Sequence, residues 1–195
     1  MFSNHDANSP DPLVKPVFSF QDKLRRFFWN TTWLLLCRWT PNAVHKWRIY
    51  ILRLFGAIIG QQNFVYPSCK IWAPWLLVTR DVVTIGPGVE IYNPGGIEIG
   101  HHTILSQDAY LCGATHDYNQ FEFTYLKKQI IIEAYVWICA KAIVLPGVTC
   151  MEGSVLGAAS VATKNMEPWT VYAGNPAQPV KQRVNSYNTD NIPQK

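Results

Sequence analysis

His116 is the side chain in this sequence best suited to chemistry. It closes the six residues 111–116 and stands just ahead of a segment, 117–131, whose spacing departs from everything around it. A neutral imidazole titrates near working pH and can take a proton from a hydroxyl. A lone histidine at a turn also serves as plain structure, and spacing alone does not separate the two. His101 and His102 are the other histidines beyond residue 60. Adjacent residues at a turn tend to point apart, so with His116 they do not form the three-ligand set of a catalytic zinc ion, and no metal is expected. Cys37, Cys69, Cys112, Cys139 and Cys150 show no CxxC spacing and read as buried, reduced thiols of a cytosolic protein. P-loop and dinucleotide glycine patterns are missing. Nor does an RNA- or DNA-reading motif accompany the basic residues, so nucleic acid is not an expected partner.

Positioning these groups falls to a six-residue repeat. Over 132–161 the hexads open on Ile132, Ile138, Val144, Cys150 and Leu156, and Val136, Ala142, Val148, Ser154 and Ser160 follow four places later. The opening side chain fills the axis of a coil of short flat strands, and the small or β-branched one fits beside it at the bend. Gly, Pro and charged residues fall between, where the chain turns and meets water. No hexad buries its apolar face alone, so the repeats must stack into a parallel solenoid. The phase holds upstream at Ile85, Ile99, Leu105 and Leu111, and Val65, Ile71, Leu77 and Val83 extend it backward as inward residues. Two interruptions break it: a long step from Ile91 to Ile99 around Asn93-Pro94-Gly95-Gly96, and the insertion after Thr115, rich in Tyr, Phe and Lys. That insertion is expected to project as a loop, and insertions mark the face of a solenoid that carries function.

The chain divides into a polar, proline-rich mobile arm (1–16), a helical, basic, amphipathic region (17–60), the coil (61–172) and a C-terminal segment (173–195) with a short helix and a frayed end. Its first sixty residues hold eight Lys/Arg against Asp6, Asp11 and Asp22, whereas the rest carries nine basic and ten acidic residues. One helix is expected over 22–39. A second should start at Thr40-Pro41 and end at Gly60, burying a stripe of Val44, Trp47, Ile51, Leu54, Phe55 and Ile58. Two readings compete for these helices: they cap the open end of the coil, or they lie on an anionic membrane surface. Arg38, Lys46, Arg48 and Arg53 interrupt every apolar run short of spanning length. With no cleavable signal at the start, the expected location is the cytoplasm, peripheral to the membrane face if the helices bind it.

The runs Ile99-Gly100, Thr115-His116-Asp117-Tyr118, Val136-Trp137-Ile138, Pro146-Gly147-Val148, Gly157-Ala158 and Gly174-Asn175-Pro176 resemble the hexapeptide-repeat acyltransferases. Within that family they are similar to the colanic acid biosynthesis acetyltransferases and the galactoside and maltose O-acetyltransferases. The resemblance implies an all-β solenoid of left-handed sense, against the usual crossover preference. It also implies a homotrimer binding acetyl-CoA between protomers, and His116 as the general base acting on a sugar hydroxyl. It suggests Asn93 as an acceptor contact, although any Pro-Gly-Gly turn would use an asparagine. Asp117 and Tyr118 are the further acceptor-binding candidates it suggests, and Asp117 either orients the imidazole or faces water. For the coenzyme it points to the Ala158 corner, to Thr163 and Lys164 for the adenosine phosphates, and to Lys181 and Arg183, because Gln178 replaces an arginine of the related enzymes. Alternatively, those two cations simply lie on a solvated C-terminal helix. Related enzymes carry a serine where this chain has Ala140, which leaves only a backbone N–H for the thioester or oxyanion.

The expected activity is an acetyl-CoA-dependent O-acetyltransferase on a sugar or glycan acceptor of exopolysaccharide biosynthesis, lipid-linked if the helices bind membrane. An N-acetyltransferase on an amino sugar is the alternative within the class. The γ-class carbonic anhydrases share the solenoid but need spaced histidines that are absent here, and an inactive scaffold or a nucleotidyl-sugar binding module would release no thiol from acetyl-CoA. Tyr118, Phe121, Phe123 and Tyr125 of the loop should reach across a subunit interface or fold back over their own coil.

Overall fold

A computed structural model describes residues 17–185; the expected mobile arm and the frayed end lie outside them. Each hexad folds as a short strand and a turn whose inward side chain is closed to solvent. Val65, Ile85, Leu105, Ile138 and Leu156 are all at most 1 % exposed. Alternation turns the strand neighbour outward, as in Trp137–Ile138, where the indole is exposed and the isoleucine buried. Strands pair with those one coil on, so three parallel sheets wrap the axis. The first face stacks Ile58–Ile59, Leu77–Thr79, Ile97–Ile99, Ile130–Ile132 and Thr149–Cys150. Next come Phe64–Val65, Thr84–Ile85, Ile104–Leu105, Trp137–Ile138, Val155–Leu156 and Thr170–Gly174 on the second face. The third holds Lys70–Ile71, Glu90–Tyr92, Tyr110–Cys112, Ile143–Val144 and Val161–Ala162. The coil thus begins at Ile58, ahead of the expected boundary. Each aliphatic side chain buried on the axis contributes about 1.5–3 kcal/mol.

Two edges of this prism are regular. Between the first and second faces Gln62, Val82, His102, Tyr135 and Trp169 take left-handed backbone, and between the second and third Asp108, Lys141 and Ala159 do so. Each turn donates to the coil before it, as His102 N–H does to Asp81 O at 3.0 Å and Lys141 N–H to Gln107 O at 3.0 Å. The third edge is where the phase breaks. Ile71 reaches Thr79 through the 3-10 turn Pro74–Leu76, Ile91 reaches Ile99 through 93–96, and Leu111 crosses the long insertion to Ile132. The first of these corrects the expected register. Thr79, 2 % exposed, is the inward residue, paired with Ile59 and Ile99. Leu77, 1 % exposed, points inward as expected at the start of that strand, with Thr79 taking the axis position two residues on, and the buried Val83 takes the small-residue position.

Helices α1 (Phe20–Leu36) and α2 (His45–Leu54) close the N-terminal end. The first coil's carbonyls point off that end and need donors. Each face receives one from a side chain: Arg53 Nη2 to Ile59 O at 2.7 Å, Arg48 Nε to Val65 O at 2.6 Å, and Trp29 Nε1 to Ile71 O at 2.6 Å. Arg48 is fully buried, donating also to Thr40 Oγ1 and to the carbonyls of Pro41 and Asn42, and its desolvation lowers its pKa. These bonds explain why the helices differ from expectation. Ser19 caps α1, its Oγ accepting from Asp22 N–H at 3.1 Å. Thr40, bonded to Cys37 O and Arg48, does not cap α2, which starts at His45 and gives way to Gly56 at φ +88° rather than running to Gly60. The buried face of α2 is Arg48, Ile49, Ile51 and Leu52, while Val44, Trp47 and Leu54 of the expected stripe stay exposed, because Arg48 must reach Val65 O. At the other end Thr170–Gly174 turns back into an antiparallel strand, Ala177–Gln182, in place of the expected short helix. Pro179 would break a helix interior, whereas an edge strand accepts it. No helix among the described residues is long and apolar enough to cross a membrane.

Candidate active site

The irregular connections lie one above another on a single edge and are joined by specific bonds. Asn93, 0 % exposed, accepts from Ala73 N–H at 3.0 Å and donates to Ala73 O at 2.8 Å. Gly113 N–H donates to Tyr92 O at 2.6 Å, and Lys128 N–H returns to Gly113 O at 3.0 Å. Gly95 is pinned between them, since a Cβ there would stand 2.6 Å from the Lys128 carbonyl carbon. With both ends of its amide engaged by Ala73, Asn93 staples two coils together and does not make the acceptor contact expected of it.

Out of this edge springs a hairpin, Ala114–His116 paired antiparallel with Tyr125–Lys127, whose register sets His116 opposite Tyr125. Asp117 builds its turn: its N–H donates to Thr124 O at 2.9 Å and its Oδ1 accepts from Asn119 N–H at 3.1 Å. The carboxylate therefore closes the loop rather than orienting the imidazole. Phe123, at φ +44°, brings its carbonyl 2.6 Å from His116 Nδ1. A carbonyl only accepts, so Nδ1 carries the proton and Nε2 keeps its lone pair. Edge-on to the imidazole at 5.4 Å is Tyr125, whose hydroxyl meets Tyr92 Oη at 2.7 Å. Burial, then the Tyr92 bond, raise the Tyr125 phenol above its ordinary range and keep it neutral. Tyr118 is 80 % exposed beside the exposed His116. An exposed, oriented imidazole with a free Nε2 is what proton abstraction from a hydroxyl requires.

The residues expected to meet the coenzyme are scattered over the prism. Ala140 and Ala158 lie on the edge between the second and third faces, in successive coils joined by Ala159 N–H to Ala140 O at 2.9 Å. Thr163 and Lys164 follow Val161–Ala162 on the edge that bears His116, lining a cavity of about 240 Å³ with Tyr172 and Gln178. Lys181 is exposed on the C-terminal hairpin opposite Val171. Arg183 is spent on structure: Nη1 donates to Tyr135 O and Gly153 O, both at 2.8 Å, and the guanidinium lies over Trp169. That anchors the chain end and corrects the phosphate-binding expectation. His116 and the Ala140–Ala158 corner thus sit on different edges and do not converge within one chain. His101 and His102, expected to point apart, bring their Nδ1 atoms to 2.9 Å and pack on Tyr135. Even so, no group of three His, Cys, Asp or Glu among the described residues is placed to hold a metal ion.

Sequence reasoning passed over Tyr92 and the Phe123 carbonyl. A signal for the first was present: Trp72 and Tyr92 each follow an inward isoleucine on successive coils of the third face, and their rings meet at 5.5 Å. Beside them α1 leaves a groove of about 340 Å³ against that face, walled by Trp29, Trp33, Ile71, Trp72 and Tyr92.

No family model matches the chain. It is 38 % identical over 156 residues to the Escherichia coli (strain K12) protein named "Putative colanic acid biosynthesis acetyltransferase WcaF", a match spanning 80 % of this chain and 86 % of that one. Among solved structures, a hexapeptide-repeat acetyltransferase of Vibrio cholerae aligns with a TM-score of 0.75 at 24 % identity, covering 86 % of this chain and 95 % of its own. A galactoside acetyltransferase in complex with coenzyme A reaches 0.79 at 19 % identity, covering 88 % and 86 %. At these identities the structural likeness bears on the fold alone. There it agrees with the expected left-handed parallel β-helix of hexapeptide repeats.

Proposed function

The chain belongs to the hexapeptide-repeat acetyltransferases, and on that premise we propose that it acetylates a sugar hydroxyl in exopolysaccharide or related glycan biosynthesis, with His116 as general base. The observation that carries this reading is the 2.6 Å bond from His116 Nδ1 to the Phe123 carbonyl. It fixes the tautomer that leaves Nε2 basic and steadies the imidazolium once the proton arrives. Acetyl-CoA supplies the activated acetyl thioester. Nε2 takes the proton of the attacking hydroxyl and returns it to the departing thiolate. Ala140 has no hydroxyl to offer, so its backbone N–H is the donor available to the oxyanion; a donor so placed is worth about 2.7–4 kcal/mol.

Assembly follows from the two edges. A cyclic homotrimer sets the His116 edge of one protomer against the Ala140–Ala158 corner of the next, with Thr163, Lys164 and Lys181 near the coenzyme phosphates. Tyr118 and Phe121, 80 % and 65 % exposed, supply aromatic area for the same interface. Peripheral contact with an anionic membrane is supported by the outward side of α1. Its Trp29 and Trp33 face the coil, yet Phe20, Leu24, Phe27, Phe28 and Leu35 are all exposed, with Lys23 and Arg38 beside them. Aromatic and aliphatic side chains flanked by cations suit the lipid interface.

The test is thiol release from acetyl-CoA with glycoside acceptors. His116→Ala should lower turnover by roughly two to four orders of magnitude, with the thermal midpoint and the light-scattering mass of a trimer unchanged. Full activity in that variant would falsify the base assignment, and a fully active wild-type monomer would sink the shared site.

A further inference from the structure

The partner of His116 is itself held in an uncommon backbone. Phe123 takes left-handed φ, +44°, which a bulky side chain adopts only where its surroundings impose it. That conformation turns its carbonyl to His116 Nδ1 at 2.6 Å. Its own ring is 49 % exposed, so side-chain packing at Phe123 offers little restraint. The hairpin offers little more, since Ala114–His116 and Tyr125–Lys127 form a two-stranded sheet apart from the three faces, and such a pair is marginal in water. A firmer point lies two residues on, at Tyr125. The Tyr125 hydroxyl meets Tyr92 Oη on the coil at 2.7 Å, and its ring makes edge contacts with His116 at 5.4 Å and with Phe18 at 5.5 Å. Phe18 comes from the start of the described chain, just before Ser19, the N-cap of α1. An apolar residue in that place ordinarily packs on the fourth residue of its own helix. Here that residue is Lys23, and Phe18 turns instead onto Tyr125 and onto Trp72, at 5.0 Å. Two cations from different elements share its ring: Arg26 of α1, with Cζ at 4.7 Å, and Lys127 of the hairpin, with Nζ at 5.5 Å. Each is attracted by the ring quadrupole, so Phe18 joins helix, coil and hairpin at one point.

We propose that Phe18 and Tyr125 are positioning residues for His116, and that the helix capping the coil completes the site from a distance. Phe18 clamps Tyr125 against Trp72 and Tyr92. Tyr125 fixes the returning strand of the hairpin, which keeps Phe123 in its left-handed backbone. The Phe123 carbonyl then holds the imidazole as the Nδ1–H tautomer with Nε2 facing outward as acceptor. Neither Phe18 nor Tyr125 needs to touch a substrate for this. The effect on turnover rests on the reading of His116 as general base; the effect on the tautomer does not.

The tautomer can be read from imidazole nitrogen-15 shifts of the full-length, histidine-labelled protein at about pH 8.5, above the ordinary imidazole range, with His116→Ala identifying the signal. Imidazole in water prefers the Nε2–H form. Wild type should therefore show Nδ1–H, Phe18→Ala and Tyr125→Phe should each drift toward Nε2–H, and Phe18→Tyr, which keeps the ring, should retain the wild-type signal. In thiol release from acetyl-CoA, the first two variants should each lose about tenfold in kcat at unchanged KM for acetyl-CoA and an unchanged thermal midpoint. Because both loosen the same ring, the double variant should also lose about tenfold rather than about a hundredfold. A wild-type Nε2–H form, or a tautomer that both variants leave untouched, overturns the proposal. So does a loss of kcat that comes with a lowered thermal midpoint or a raised acetyl-CoA KM, which would make the clamp a matter of folding. A tautomer that shifts as expected in a protein releasing no thiol would keep the clamp and sink acetyl transfer; an inactive His116→Ala beside fully active clamp variants would do the reverse.

Discussion

Two edges of the same prism show what a repeat can supply and what it cannot. Where the second and third faces meet, the turns from Gly88 onward repeat one left-handed backbone, and the buried residues beside them, Val89, Ala109, Ala142 and Ser160, are interchangeable small fillers. Where the third and first faces meet, no two connections are alike: a 3-10 turn, the Asn93 turn, then a hairpin. The regular edge is held by position and volume. Named bonds hold the irregular one, Asn93 to Ala73 and His116 to Phe123. Repetition stiffens the molecule but places the same group in every coil, so a unique side chain with a unique partner, such as the base proposed at His116, finds its place where the repeat is broken. Stability and activity should therefore respond to different residues.

The largest test of that separation is on the axis. Leu105 is 0 % exposed, stacked between Ile85 and Ile138 on the second face. Leu105→Ala removes packing that stacked neighbours cannot refill and should cost about 2–5 kcal/mol of stability in denaturant unfolding. Activity per folded molecule should hold within a factor of two or so. A variant whose kcat collapses while its unfolding midpoint stays put would erase the distinction between axis and edge.

The axis was the legible part of this sequence, because its period is short and its side chains are chosen by volume. Legibility failed at Thr79, a polar inward residue that follows Pro74-Trp75-Leu76, a turn with no glycine to announce it. It failed again in α2, where the apolar stripe lost to a buried arginine reaching a free carbonyl of the first coil. At the site, His116 stood out by its residue type and its place before an insertion. Its partner is a main-chain carbonyl, which every residue has and no spacing marks, and the neighbouring Tyr92 comes from the coil before. Asn93 was misjudged for a related reason: a turn asparagine looks the same whether it faces a ligand or the backbone below.

That asparagine gives the next test. If it is a staple, Asn93→Ala leaves the buried Ala73 N–H and carbonyl unpaired and should cost about 1–3 kcal/mol of stability, with KM for a glycoside acceptor unchanged at temperatures where the protein is folded. An unchanged unfolding midpoint with a raised acceptor KM would return Asn93 to ligand binding and make the irregular edge less of a scaffold than its bonds suggest.

The smallest effect separates interior from edge by charge. Cys69 fills a position four places after Val65 and Cys150 lies on the axis, where each serves as a small apolar group. Burial pushes both thiols up to about 12, whereas an unfolded thiol ionises near 8.5. Because the folded value is the higher one, the full contribution of these thiols to stability is present below about pH 8.5 and declines as pH rises toward 12. By pH 9 each should have lost about 0.8 kcal/mol relative to neutral pH. Urea midpoints measured at pH 7.5 and 9 should thus converge in Cys150→Ala relative to wild type, whatever the substitution costs at neutral pH. Equal slopes in the two proteins would mean that the interior tolerates a thiolate. The coil would then be no barrier to charge, and the place of the proposed base on its irregular, exposed edge would need another cause.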